Sequence, residues 1–281
     1  MCAARSRAGP APPGGNGLPR VADKNLLLRR GLAMPLGSFG AGMSVVVVGA
    51  SGGIGRALTS ILSASPAVAR ITACSRSGAV PEHPKVRHQR LDLEDEATIA
   101  GAAEAVQADG GVLDLVLVAS GILHDDEELR PEKTWRALDG AALERVYRIN
   151  AVGPALVAKH FLPLLARDRK SVFAALSARV GSISDNQLGG WHAYRASKAA
   201  LNMLLRTFAI ELARRNPRAV CVGLHPGTVD TGLSAPFQTN VPEGKLFTPD
   251  FAAARLLEVV DRLKPDDSGK VFAWDGQTIP P

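Results

Sequence analysis

Six short runs of apolar, mostly β-branched residues recur along this chain with helix-length stretches between them. No other feature limits the fold as much. The runs are Ser44–Val48, Arg70–Ala73, Val86–Leu91, Asp114–Val118, Ser171–Leu176 and Ala219–Leu224. A strand that is apolar on both faces belongs between two layers, as in a parallel sheet covered by helices. The intervening stretches near 54–64, 95–108, 141–167, 193–215 and 249–263 read as helices. Strand–helix alternation requires right-handed crossovers, which gives an α/β fold: a single, Rossmann-like, doubly wound parallel sheet. No internal repeat or second boundary interrupts residues 43–281, which read as one domain.

The first run enters Gly49-Ala50-Ser51-Gly52-Gly53-Ile54-Gly55, a glycine-rich strand-to-helix turn. Glycines are required where the chain turns tightly and where a Cβ would keep backbone N–H groups from a pyrophosphate. The helix starting near Ile54 directs its N-terminal N–H groups and dipole at such an anion. Gly49, Ser51, Gly53, Ile54 and Gly55 are therefore candidate dinucleotide contacts. The second run ends in Ser75-Arg76, where an acid would otherwise accept from ribose hydroxyls. A guanidinium matches a 2′-phosphate in charge and geometry, so NADP(H) is favoured over NAD(H). Asp92, at the end of the third run, is placed to accept from an adenine amino group, with Leu93 beside it. Ala119 and Gly121 follow the fourth run at the same end of the sheet.

Tyr194 and Lys198 open a long helical stretch at spacing i, i+4, on one face. A phenol with a pKa of about 10 is a poor acid–base group at neutral pH. A neighbouring ammonium is expected to favour the phenolate and bring that pKa down. The pair can then move a proton to or from a carbonyl oxygen, and the lysine can also donate to ribose hydroxyls.

The glycine turn, the Tyr194–Lys198 pair, Asn150-Ala-Val-Gly153 and Pro226-Gly227-Thr-Val-Asp-Thr231 together resemble the short-chain dehydrogenase/reductase family over about 43–281. The stretch from Ser177 to Asn202 is similar to the C-factor and sniffer-like carbonyl reductases. The resemblance implies Tyr194 as acid–base, Lys198 as its modulator and ribose ligand, and Asn150 as holder of a relay water. A serine after the fifth strand would hydrogen-bond the substrate oxygen. Pro226, Gly227, Val229 and Thr231 would border the nicotinamide. Homodimers or homotetramers through the helices near 151–167 and 193–215 are implied as well.

Two family motifs are altered. Asn-x-Ala-Gly reads Val118-Ala-Ser-Gly121, and Ser-Ser-x-x-Gly reads Ser177-Ala178-Arg-Val-Gly181. The second puts alanine at the usual serine. Ser177 is the first replacement, although adjacent strand residues face opposite ways. Ser182 and Ser184 are its rivals.

The formal charge of +6 suggests nucleic acid or an anionic membrane, but its distribution argues otherwise. Residues 1–42 hold six bases and one acid, along with eight glycines and five prolines. The remaining body holds 27 bases and 26 acids. Residues 1–42 are expected to be a disordered or poorly packed extension, either dispensable or an organellar transit peptide. A near-neutral body argues against a nucleic-acid partner, and no apolar run reaches the roughly 20 residues of a membrane span. Three dispersed cysteines fit a reducing, cytoplasmic setting. His192 and His225 lack partners at ligand spacing, so no metal is expected, and no Gly-x-Ser-x-Gly elbow is present.

Trp191, Phe237 and Phe247 are candidate pocket walls or core residues. The segment 232–248 is a candidate substrate cover whose composition suits an apolar ligand. Two functions follow: NADPH-dependent reduction of a small carbonyl compound (or the reverse), or a cofactor-binding signalling protein with little turnover.

Overall fold

The structure, a computed structural model, describes residues 36–125 and 128–281, all within one compact unit. β1 (Met43–Val48) leads through the glycine turn into α1 (Gly53–Ala64), β2 (Val68–Ser75), β3 (Val86–Arg90) and α2 (Glu96–Ala108). Then come β4 (Leu115–Val118), α3 (Gly140–Tyr147), α4 (Gly153–Phe161), β5 (Ser171–Leu176), α5 (His192–Ala213) and β6 (Ala219–His225). The chain closes with β7 (Thr228–Val229), β8 (Leu246–Phe247), α6 (Pro249–Arg262), β9 (Val271–Ala273) and β10 (Thr278–Ile279).

Among the described residues one sheet has the order β10-β9-β6-β5-β4-β1-β2-β3, parallel except where β10 pairs with β9. β7 and β8 pair separately, also in parallel. Alternate residues of each central strand enter different layers. Val45 and Val47 pack with Leu58, Leu62, Leu256 and Val260 of α1 and α6. Val46 and Val48 pack with Ile99, Val157, Phe161, Leu201 and Leu205 of α2, α4 and α5. Both faces are covered, which is why the strand sequences are apolar throughout. The strand order reverses between β1 and β4, and a crevice opens beyond their carboxyl ends at such a reversal. The glycine turn and residues 119–121 border that crevice.

The helix expected over 141–167 is in fact several pieces. A π-helical turn, Arg148–Val152, separates α3 from α4, and a 3-10 turn, Leu162–Leu164, ends it. Pro154 and Pro163 each withhold an N–H from the helical ladder. Among the described residues no helix is long and apolar enough to cross a membrane.

The boundary at Met43 also moves. Leu36 and Phe39 are buried in the α1/α6 layer. Ser38 donates from N–H and Oγ to Asp261, at 2.9 and 2.7 Å. Lys170 Nζ donates to Ser38 Oγ and to the carbonyls of Val260 and Asp261, and lies 4.6 Å from the Phe39 ring centroid. Two apolar residues among glycines have no period, so the sequence does not reveal this packing. The expectation for residues 1–35 lies outside the described residues.

Candidate active site

The cleft at the strand reversal encloses about 420 Å³. Gly49, Ser51, Ser75, Arg76, Asp92, Leu93, Ala119 and Gly121 line it, as the sequence suggests. Gly49 has φ +84°, and a Cβ there would overlap Ser120 Oγ and press on the Ala119 backbone. α1 begins at Gly52 with no side-chain cap and no acid in its first turn, so its N–H groups suit an anion. Arg76 is exposed and has no ion-pair or hydrogen-bond partner among the described residues. A cradle closed to any Cβ, an uncapped helix start and an uncommitted guanidinium all fit a dinucleotide phosphate group.

Three residues expected as cofactor contacts also have packing roles. A Cβ on Gly55 would overlap the Gly49 carbonyl, so this glycine sets how closely α1 approaches the turn. Ile54 packs against the core. Gly53 faces the Thr231 methyl group, with which its Cβ would collide at 2.6 Å. That contact carries the Pro226–Thr231 segment to the glycine turn. Pro226 and Gly227 follow β6 directly, and Val229 is buried. Gly227 rests on Phe247 and Trp274, while Phe247 packs on Phe251 and Trp274 with ring centroids 4.8 and 4.6 Å away. Phe247 is thus a prop under this segment.

Tyr194 and Lys198 lie in the first two turns of α5, with Lys198 Nζ 5.7 Å from the Tyr194 ring centroid. The ammonium donates to the Leu176 carbonyl at 2.8 Å. It also stands 3.4 Å from where a Cβ on Gly121 would be, beside the cleft. Burial pushes the Tyr194 phenol up to about 12 and the Lys198 ammonium down to about 8. The expected lowering of the phenol does not occur, because desolvation outweighs the lysine's charge at this separation.

Asn150 is fully buried in the π turn. Its Oδ1 accepts from Ile122 N–H, and its Nδ2 donates to the Ile122 carbonyl, both at 2.8 Å. Nδ2 also lies 3.2 Å from Ser197 Oγ, which donates to the Tyr194 carbonyl. Asn150 thereby joins the loop after β4 to the start of α5.

The three candidate serines all have partners within the fold. Ser177 is buried and donates its hydroxyl to Asn202 Oδ1 at 2.6 Å. Asn202 lies eight residues beyond Tyr194, about 12 Å farther along the helix axis. Ser177 faces the α5 side of the sheet and its proton is committed there. Ser182 and Ser184 donate to the Pro281 carbonyl oxygen. All three hydroxyls therefore have intramolecular acceptors.

The entry to α5 depends on a residue that sequence reasoning missed. Gly189, Gly190 and Trp191 are left-handed in succession, with φ +63°, +65° and +51°. Trp191 N–H donates to the Glu132 carbonyl at 2.6 Å, and the buried Glu132 carboxylate accepts from Ala193 N–H. An acid at a helix start complements its dipole; only the fold brings Glu132 there. Trp191 meets Tyr194 edge-on at 6.3 Å and Phe237 at 5.0 Å, and Phe237 meets His124 at 5.6 Å. Phe237 thus closes the 232–248 segment over the Tyr194 side.

The profile of the short chain dehydrogenase family matches residues 43–242. The C-signal protein of Myxococcus xanthus is 39% identical over 149 residues, covering 52% of this chain and 84% of that protein. An NADPH-bound carbonyl reductase from chicken fatty liver superposes with TM-score 0.74 at 27% identity, covering 88% of this chain and 97% of the other. The Drosophila melanogaster carbonyl reductase Sniffer gives TM-score 0.74 at 21% identity, covering 85% and 99%, a likeness of fold.

Proposed function

This chain belongs to the short chain dehydrogenase family, an oxidoreductase family, and on that premise we propose that it is an NADPH-dependent reductase of small carbonyl compounds. The observation that carries the reading is a half-buried, protonated Tyr194 with Lys198 on the same helix face, beside a cleft holding an uncommitted Arg76. When bound, the nicotinamide supplies a hydride. Tyr194 donates its proton to the carbonyl oxygen, and the Lys198 charge stabilises the phenolate left behind. Lys198 also donates toward the ribose. The Asn150 side chain is spent on Ile122 and Ser197, so its backbone in the π turn is the part available to a relay water. Arg76 and Ser75 meet the 2′-phosphate, and the Pro226–Thr231 segment borders the nicotinamide.

Tyr194→Phe keeps the ring and removes the proton donor. NADPH oxidation, followed by absorbance across aldehydes and ketones, is expected to fall at least roughly tenfold, the scale of lost acid catalysis. Nucleotide binding should persist. A variant as fast as the wild type would refute the assignment.

One observation favours a second reading. The hydroxyls of Ser177, Ser182 and Ser184 are each engaged within the fold, and Ala178 occupies the usual position, which suits a cofactor-binding regulatory protein with little turnover. NADPH binding without turnover across that panel would select it. Self-association is proposed through α4 and α5. Leu201 and Leu205 are used in the core, but Met203 and Ile210 stay exposed on α5. The outer surface of the two helices holds a cavity of about 560 Å³.

A further inference from the structure

Ser75 is buried but reaches the cleft beside Arg76, and its surroundings show how the turn that carries Arg76 is held. Ser75 Oγ accepts the Gly78 N–H at 3.1 Å, closing the turn. His88 on β3 lies under it, with Nε2 3.2 Å from Ser75 Oγ and 3.3 Å from the Ser75 carbonyl oxygen. From the other side, Arg56 Nη2 donates to the Ala79 carbonyl at 2.7 Å. The Arg76 side chain beside them has no partner among the described residues.

The two oxygens facing His88 select its tautomer. A carbonyl oxygen can only accept, so Nε2 beside it carries the proton. Ser75 Oγ then receives hydrogen bonds from Gly78 and His88, and its own proton is free to point into the cleft. With the proton on Nδ1 instead, Ser75 would spend its hydroxyl on His88 and face the cleft with no donor.

Resting on the NADP(H) reading above, we propose that His88 is a specificity-determining positioning residue: it turns the Ser75 hydroxyl outward as a second donor, beside Arg76, for the 2′-phosphate. The phosphate is then met by one charged and one neutral donor. His88 itself is exposed on an edge strand, so changing it leaves the core intact.

The test measures binding of 2′,5′-ADP and 5′-AMP to the full chain by calorimetry, without any turnover. The wild type should bind 2′,5′-ADP at least roughly tenfold more tightly than 5′-AMP. In His88→Ala, 2′,5′-ADP should weaken about tenfold, the loss of one hydrogen bond to a charged group, with 5′-AMP unchanged. His88→Gln, which keeps an N–H donor, should recover most of that loss. Ser75→Ala should match His88→Ala, and the double variant should add nothing. Equal weakening of both nucleotides in His88→Ala would make the histidine merely structural and overturn the proposal, as would no weakening of either. A wild type that binds both nucleotides equally would remove the NADP(H) reading and this inference with it. Discrimination that is lost in Arg76→Ala but kept in His88→Ala would remove the inference alone.

Discussion

Tyr194 and Lys198 are shifted in opposite directions by the same cause. Burial disfavours charge, so the phenol keeps its proton and the ammonium tends to lose one, at about 12 and about 8. Carbonyl reduction needs both groups protonated, and Lys198 is the first to fail as pH rises. Reductive kcat/KM should therefore be level through neutral pH and fall up to tenfold per unit above about 8, reporting the free protein's lysine. Lys198→Arg, which stays charged, should move the descending limb upward by more than one unit even if the plateau drops. A level profile to pH 10 in the wild type would mean that the lysine's charge is not needed. Tyr194, Lys198 and Arg76 stand out as candidates in the sequence because each sits in a short local pattern beside a strand or helix end. The engagement of Ser177 is not legible in the sequence, because the fate of its hydroxyl depends on Asn202, in another element. Glu132 and His88 were invisible for the same reason: their relevance arises only when α5 meets the segment before α3, and β3 meets the end of β2.

Elements long enough to show a period were readable, and those set by packing were not. β1 to β6 coincide with the apolar runs to within two residues at either end. β7 and β10 have two residues each, too few for alternation to register. The π turn has no distinct composition, yet it places Asn150 between β4's loop and α5. The β1–turn–α1 unit is the most demanding of these elements. A Cβ on Gly55 would overlap the Gly49 carbonyl and lie 3.2 Å from Ala50 Cα, both backbone atoms that cannot rotate away. Gly55→Ala should thus move α1 off the turn and cost about 1–3 kcal/mol, as overpacking does. The urea midpoint should fall, and 2′,5′-ADP binding should weaken along with 5′-AMP binding, since the phosphate cradle itself is deformed. A variant with the wild-type midpoint and affinities would show that the helix has room to spare there.

At the scale of the whole molecule, the basic charge is concentrated at one end of the sequence. Residues 36–42 carry no charge, so the excess of bases in the first 42 residues lies in residues 1–35, and residues 36–281 together are nearly neutral. The uncharged remainder is structural. Leu36 is 1% exposed and Phe39 6%, and the three hydrogen bonds of Lys170 Nζ tie this segment to the end of α6. The protein's core thus extends past the first strand and covers the α1/α6 layer on a side that β1 alone leaves open. Leu36→Ala separates this arrangement from a loose extension. Truncating a buried leucine removes transfer energy and leaves a cavity, a loss of about 2–5 kcal/mol. In a domain of this size that is roughly 5–15 °C in melting temperature. Calorimetric unfolding should show the drop while 2′,5′-ADP binding at 20 °C stays as in the wild type, because the cleft lies beyond the carboxyl ends of β1 and β4 and Leu36 does not line it. An unchanged melting temperature would mean that the segment packs without contributing, and that the stable unit begins at Met43 after all.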